Sequence, residues 1–318
     1  MFKTNYNIEE SIVIKASMKN VWENISLFEK RKVSSPWLIL DNKCKSKTEW
    51  KEGIVGTIDT WESPILGEWE MEITEVVKNE SIKYELRFKK PFKSQAHTYY
   101  KITKTRKKWE LKVTWWMDGS LPFFLFWMKD TMTLFIKKDF ERGLAMLKVF
   151  TETGKLETST QIKPVQNVKW FYWVGIEKTK PLTKVGETMM KDFDILGELF
   201  EKNEVKGKKV FAFYPKVDMK KNIFTFISSI QVSEKDFNKL ELPKKFKKWY
   251  FEESKCLKVV HKWSYNFLSN SWTALYMAAK AEKLKPRKTQ SSFEIYTKNF
   301  KDGLDEKDLV TDIYLPVK

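Results

Sequence analysis

Apolar and polar positions switch repeatedly between strand and helix periods along the chain, and a strand followed by a helix opens each half. Glu10–Ala16 is rich in β-branched residues and predicts a strand. Ser17 is a good N-cap for a helix over Lys19–Phe28, where Val21, Trp22, Ile25 and Phe28 form one stripe. Strand-like segments follow over Val55–Trp61, Gly67–Val77, Ser81–Phe88, Gln95–Thr103 and Trp109–Met117. The turns between them are charged or carry Gly or Pro, which suits an antiparallel meander. From Leu121 the period lengthens: Phe126, Met132, Phe135, Ile136, Phe140, Leu144, Leu147 and Phe150 predict a long amphipathic helix ending near Gly154. The expected first domain, residues 1–154, is thus an α+β unit: an antiparallel sheet closed by a long C-terminal helix.

Thr151–Pro164 carries Thr, Ser, Gly, Pro and charge, so a linker is drawn at 155–164 and a second domain at 165–318. Val165–Ile176 reads as a strand, and Thr183–Phe200 as a helix on the spacing of Met189, Met190, Phe193, Leu196, Leu199 and Phe200. Lys209–Tyr214 and Ile223–Val232 are predicted strands, while Glu234–Phe246 is polar and expected to be irregular. The order then recurs. Lys255–Trp263 is a strand, Asn266–Leu284 a helix with Leu268, Trp272, Leu275, Tyr276 and Ala279 on one face, and Ser291–Tyr296 and Leu309–Val317 are strands. Two strand-helix-strand-strand repeats predict one antiparallel sheet with two helices and a pseudo-twofold axis, and a groove at such an axis is a natural ligand site.

Within the last repeat, Phe293 and Ile295 point to one side of the strand, and Ser292, Glu294 and Tyr296 to the other. Glu294 is the best single candidate for a functional group, against the plainer reading of a solvated strand glutamate. Composition narrows the field. The 318 residues are 42% hydrophobic and 15% aromatic, enough for two cored domains. Cys44 and Cys256 lie far apart, so neither a disulfide framework nor a zinc site is expected, and a reducing cytosol fits. The net charge of +17 comes from lysines spread along the chain, without zinc-finger spacing, a basic zipper or a helix-turn-helix. Direct nucleic-acid binding is therefore not expected, although an acidic partner stays open. Met1–Glu10 lacks an apolar leader, and the longest apolar run, Leu121–Met128, falls short of the roughly 20 residues that span a bilayer. A cytoplasmic protein with no membrane contact, no cofactor and no metal is the expectation.

Two stretches resemble known families. Ile12–Ser17 with Val21-Trp22, Gly67–Ile73 and Lys112–Trp115 resemble SRPBCC (START-like, polyketide cyclase-type) domains, over about residues 5–154. This implies a helix-grip fold with a hydrophobic cavity between sheet and helix. Phe293-Glu294-Ile295-Tyr296 and Thr311–Lys318 resemble the end of GyrI-like effector-binding domains, over about residues 156–318. There the resemblance implies a glutamate at Glu294 in an aromatic-lined pocket that takes a hydrophobic or cationic small molecule. Tyr296, Tyr265 and His261 are candidate pocket residues on the same grounds. Trp263 departs from the family, which favours a small residue in that turn. Of the cluster Trp170–Trp173 two residues should face the pocket, with Tyr172 and Trp173 taken as candidates, and Phe213 is drawn from the next strand. Aromatic faces attract cations, and a carboxylate in apolar surroundings seeks one. The resemblance leaves two alternatives: a hydrolase of reactive small molecules with Glu294 as base and Tyr265 as proton donor, and a regulatory protein acting by contact with a protein partner.

Overall fold

In the computed structural model, which describes residues 3–90 and 93–318, the period-two stretches of the first half become strands of one sheet. The order is β1 Lys3–Lys15, α1 Met18–Ser26, α2 Phe28–Val33, β2 Lys45–Glu49, β3 Ile58–Ser63, β4 Gly67–Val77, β5 Ser81–Lys90, β6 Ser94–Lys104, β7 Glu110–Pro122 and α3 Lys129–Thr153. The strands form a seven-stranded antiparallel sheet, β1-β7-β6-β5-β4-β3-β2. Ser17 caps α1 by accepting from the Asn20 amide at 3.2 Å, and Gly154 ends α3 in the left-handed conformation at φ 73°. Phe140, Leu144 and Leu147 of α3 are buried with Trp115 of β7, whose ring stacks on Phe140 at 3.8 Å. Trp116, next in sequence, faces the other way and stacks on Tyr99 at 5.1 Å. The strand β2 was not anticipated: it is polar throughout and pairs only with β3 at the sheet edge, so it carries no apolar alternation.

The chain divides into two units, residues 1–157 and 158–318. The second contains β8 Thr158–Val168, β9 Phe171–Pro181, α4 Leu182–Lys202, β10 Val210–Asp218, β11 Ile223–Val232, α5 Glu234–Lys239, β12 Lys247–Phe251, β13 Ser254–Trp263, α6 Leu268–Ala281, β14 Ser292–Lys298 and β15 Val310–Pro316. Most of the segment expected as a linker is therefore strand: β8 begins at Thr158 and pairs with β13, its threonines and glutamine being polar but compatible with a pleated edge. Lys169-Trp170 interrupts the strand expected over Val165–Ile176, and the stretch read as irregular contains α5.

The eight strands run β12-β9-β11-β10-β14-β15-β13-β8. Within this order β9-β11-β10 mirrors β13-β15-β14, so the duplicated repeat is realised as a pseudo-twofold arrangement about the β10–β14 pair. One face is covered by the helices: Val185, Met189, Phe193, Leu196 and Phe200 of α4 pack on Val174, Ile176, Ala212 and Phe226. The other face carries Phe171, Trp173, Phe211, Phe213, Phe251, Phe293 and Tyr314. Phe251, on the edge strand β12, reaches Phe293 of β14 with ring centroids 5.0 Å apart, although three strands lie between them. The sheet therefore curls around this aromatic face. Gly175 sits in the curl, where a Cβ would stand 2.7 Å from the Ser228 carbonyl oxygen, so a side chain has no room there.

Candidate ligand site in the second unit

The strand β14 sends alternate residues to opposite faces, and this parity makes the site. Phe293 and Ile295 enter the aromatic face, while Ser292, Glu294 and Tyr296 turn toward the helices. Glu294 is 1% exposed. Tyr296 Oη donates to its Oε2 at 2.6 Å, Tyr214 Oη donates to the same oxygen at 2.9 Å, and Trp272 Nε1 donates to Oε1 at 2.5 Å. These donors come from three elements, β14, β10 and α6, so folding of both repeats is needed to assemble them. All three are neutral, and among the described residues no Lys, Arg or His forms an ion pair with Glu294.

Rings surround the carboxylate. Tyr214 meets Trp272 edge-on at 5.2 Å, Phe193 of α4 meets Tyr296 at 6.1 Å, and Tyr265 meets Tyr296 at 5.8 Å. Met189 Sδ lies 3.4 Å from Tyr296 Oη. Burial pushes Glu294 above the ordinary carboxylate value, against the opposing pull of hydrogen bonds from Tyr296, Trp272 and Tyr214. The same burial, reinforced by the Glu294 charge, raises Tyr214, Tyr296 and Tyr265, which keeps these phenols protonated. The result is a buried, hydrogen-bonded carboxyl group walled by aromatic rings, with no ion pair to it among the described residues.

Three of the expected site residues, Glu294, Tyr296 and Tyr265, are brought together. The other four are elsewhere. His261 is fully buried; its Nδ1 lies 2.9 Å from Ser271 Oγ and its Nε2 3.0 Å from the Ser264 carbonyl oxygen, so both ring nitrogens are occupied in holding the β13 turn to α6. Tyr172 shares the helix-covered face but stacks on Phe237 at 4.5 Å and donates to Glu234 at 3.1 Å, toward the β12 edge. Trp173 and Phe213 lie on the opposite face, 5.2 Å apart. Alternation explains the split: Trp170 and Tyr172 share one side of the chain, Phe171 and Trp173 the other.

Two residues of the site, Tyr214 and Trp272, escaped selection on sequence. Tyr214 ends the predicted strand Lys209–Tyr214, from which only Phe213 was drawn, and Trp272 read as part of one face of a helix. The register, which pairs Tyr214 with Ser292 and so puts it beside Glu294, is the missing signal. Trp263, noted as unusual for its position, has φ 78°, a conformation that favours glycine. The turn it makes leads directly into Tyr265.

Where a cavity was expected in the first unit, between the sheet and α3, aromatic rings pack together. Trp37 packs on Trp69 at 5.5 Å and on Trp115 at 5.8 Å, and Trp61 on Trp69 at 4.5 Å. The space enclosed beside Arg31, Tyr100 and Trp115 is about 10 Å³, room for one water. Among the described residues no cluster suited to a metal ion occurs, and no helix is long and apolar enough to cross a membrane.

The second unit is thus a duplicated strand-helix-strand-strand sheet with a buried acidic centre. Residues 174–318 match the family model of the GyrI-like small molecule binding domain. The match begins inside β9, leaving β8 outside it. No curated protein matches the chain in sequence. Among solved structures, the EcmrR C-terminal domain is similar at 16% identity and TM-score 0.44, covering 50% of this chain and 98% of that one. The EcmrR–DNA complex in EcmrR-RPo is similar at 14% identity and TM-score 0.42, covering 60% and 71%. The Aha1 dimer from Colwellia psychrerythraea is similar at 16% identity and TM-score 0.34, covering 47% and 98%.

Proposed function

We propose that the protein is a cytoplasmic small-molecule-binding protein whose second unit takes a cation with an aromatic or hydrophobic body at Glu294. The observation that carries this reading is the buried carboxylate itself: three neutral donors hold it, and among the described residues no cation pairs with it. An ionised carboxylate kept out of water is costly, and a bound cation offsets that cost. The rings of Tyr214, Trp272, Tyr265 and Tyr296 add faces to which a cation is attracted. Because the carboxylate is 1% exposed, side chains over it, Trp272 and Tyr265 among them, must part to admit a ligand. For the first unit, the sheet order and the closing helix α3 support the helix-grip reading of the SRPBCC type.

The test is a tryptophan-quenching titration with a planar aromatic cation and its neutral isostere, on the wild type and on Glu294→Gln, over a range of pH. The cation should bind more tightly than the isostere, and its affinity should rise with pH until Glu294 is fully ionised, then level off. Glu294→Gln should remove both the preference and the pH dependence. Equal binding of cation and isostere by the wild type refutes the reading. Turnover of a reactive electrophile, lost in the same variant, would replace it with the hydrolase alternative.

A further inference from the structure

The sheet face turned away from α4 and α6 holds a second concavity. Its floor is Trp173, Phe213, Ile227 and Phe251, and a groove of about 450 Å³ lies over them, walled by Trp249 and by Thr289–Ser291. Trp249 is 61% exposed although it pairs with Trp173 in the sheet, so an indole stands beside the groove with one side uncovered. Thr289 also borders a neighbouring hollow of about 760 Å³, whose walls include Glu253, Ser254, Lys255, Arg287 and Lys288. An aromatic groove thus continues into a basic one.

The basic end is built rather than incidental. Arg287 Nη1 donates to Ser254 Oγ at 2.6 Å, Ser254 Oγ donates to Gln290 Oε1 at 2.5 Å, and Gln290 Nε2 donates to the Glu252 carbonyl oxygen at 2.8 Å. This chain ties the guanidinium to the segment that walls the aromatic groove, so cation and ring face are fixed relative to each other. Among the described residues Lys255, Arg287 and Lys288 form no salt bridge; of the acidic groups at the hollow, the Glu253 side chain accepts from Asn167, and Lys318 with its terminal carboxylate also lines it.

We propose that this concavity is a second ligand site, distinct from Glu294, for an amphipathic anion: a planar aromatic body over Trp173 and Trp249 with a carboxylate or phosphate head at Arg287 and Lys288. A groove of this volume suits a small molecule. Aromatic rings supply contact area to a flat body, and a planar guanidinium matches the geometry of either head group. The two faces of one sheet would then prefer ligands of opposite charge.

The experiment uses the full chain and two probes of one body, a pyrenylalkyl carboxylate and the pyrenylalkyl ammonium of equal chain length, with affinities from calorimetry. The carboxylate should bind the wild type and Glu294→Gln alike. It should weaken about tenfold or more in Arg287→Gln/Lys288→Gln, the scale of a lost charge-assisted contact, and weaken similarly in Trp249→Ala. Lys288 and Trp249 are exposed, so their single variants report on binding even if Arg287→Gln perturbs the fold. Carboxylate binding that is unchanged in Lys288→Gln and Trp249→Ala, or that is lost in Glu294→Gln, overturns the proposal. So does self-association that depends on Trp249 with no binding of the carboxylate, since a second copy would then be the occupant.

Discussion

Replacing Glu294 by glutamine and by leucine separates the role of its charge from that of its oxygens. Three donors converge on the carboxylate: Trp272 Nε1–H, Tyr214 O–H and Tyr296 O–H. Glutamine keeps an acceptor for the indole at Oε1, and its amide can donate to the tyrosine oxygens once those hydroxyls rotate. Leucine leaves all three donors without an acceptor in an almost closed space. Each orphaned buried donor costs about 1–3 kcal/mol. With one of the three rescued by water, Glu294→Leu should lose about 2–6 kcal/mol, whereas Glu294→Gln should stay within about 1 kcal/mol of wild type near neutral pH.

The pH dependence sharpens the comparison. Burial raises Glu294 in the folded state, so the folded chain keeps this proton at pH values where the unfolded chain has released it. Its stabilising contribution is full below the ordinary carboxylate value and is lost as pH rises through the raised folded value. Glu294→Gln removes that loss, so the variant gains on wild type as pH rises. Urea unfolding across pH, with hydrogen exchange of the β14 amides to isolate the second unit, measures both effects. A glutamine variant as unstable as the leucine variant would refute the reasoning, because the negative charge itself would then be holding the donors.

Two other substitutions test how the site is held. His261→Ala should cost about 2–3 kcal/mol through the hydrogen bonds to Ser271 and Ser264, while cation affinity stays unchanged once the protein is folded. Burial lowers the His261 value, so its contribution is present above pH 6.5 and is lost as pH falls through the folded value; the alanine variant should show a flatter acid limb in thermal melts. Trp263→Gly should relieve the left-handed strain at φ 78° and raise stability by about 1 kcal/mol in the same unfolding assay; a loss would mean that the indole's packing outweighs the strain.

Elements with a clear period were legible in the sequence: α1 with its Ser17 cap, α3 with its Gly154 stop, and the second-unit repeats, whose apolar stripes and strand alternation survive in the fold. Elements without one were not. Polar β2 and β8 gain their structure from backbone pairing with β3 and β13, which leaves no trace in apolar spacing. The site was half legible for a related reason. Glu294 and Tyr296 share a strand, so parity alone puts them together, and Tyr265 was drawn from the family resemblance. Tyr214 and Trp272 reach the carboxylate through register and helix docking, which are tertiary facts. Trp173 and Phe213 show the converse, since aromatic content pointed to them and parity placed them on the other face.

The duplication explains why one carboxylate, and not two, stands at the β10–β14 pair. Glu294 lies directly opposite Ala212 in the β10–β14 pair, and two residues further along each strand stand Tyr296 and Tyr214. Both tyrosines donate to the same carboxylate oxygen, so the two repeats supply matching donors from either side of the pseudo-twofold axis. A glutamate at 212 as well would bury two carboxylates side by side, and like charges so placed cannot both ionise. An alanine at 294 would leave two phenols and an indole without an acceptor. Broken symmetry at this one pair thus gives a singly charged centre within a symmetric aromatic frame, the arrangement that best complements a monovalent cation on the reading proposed for the site.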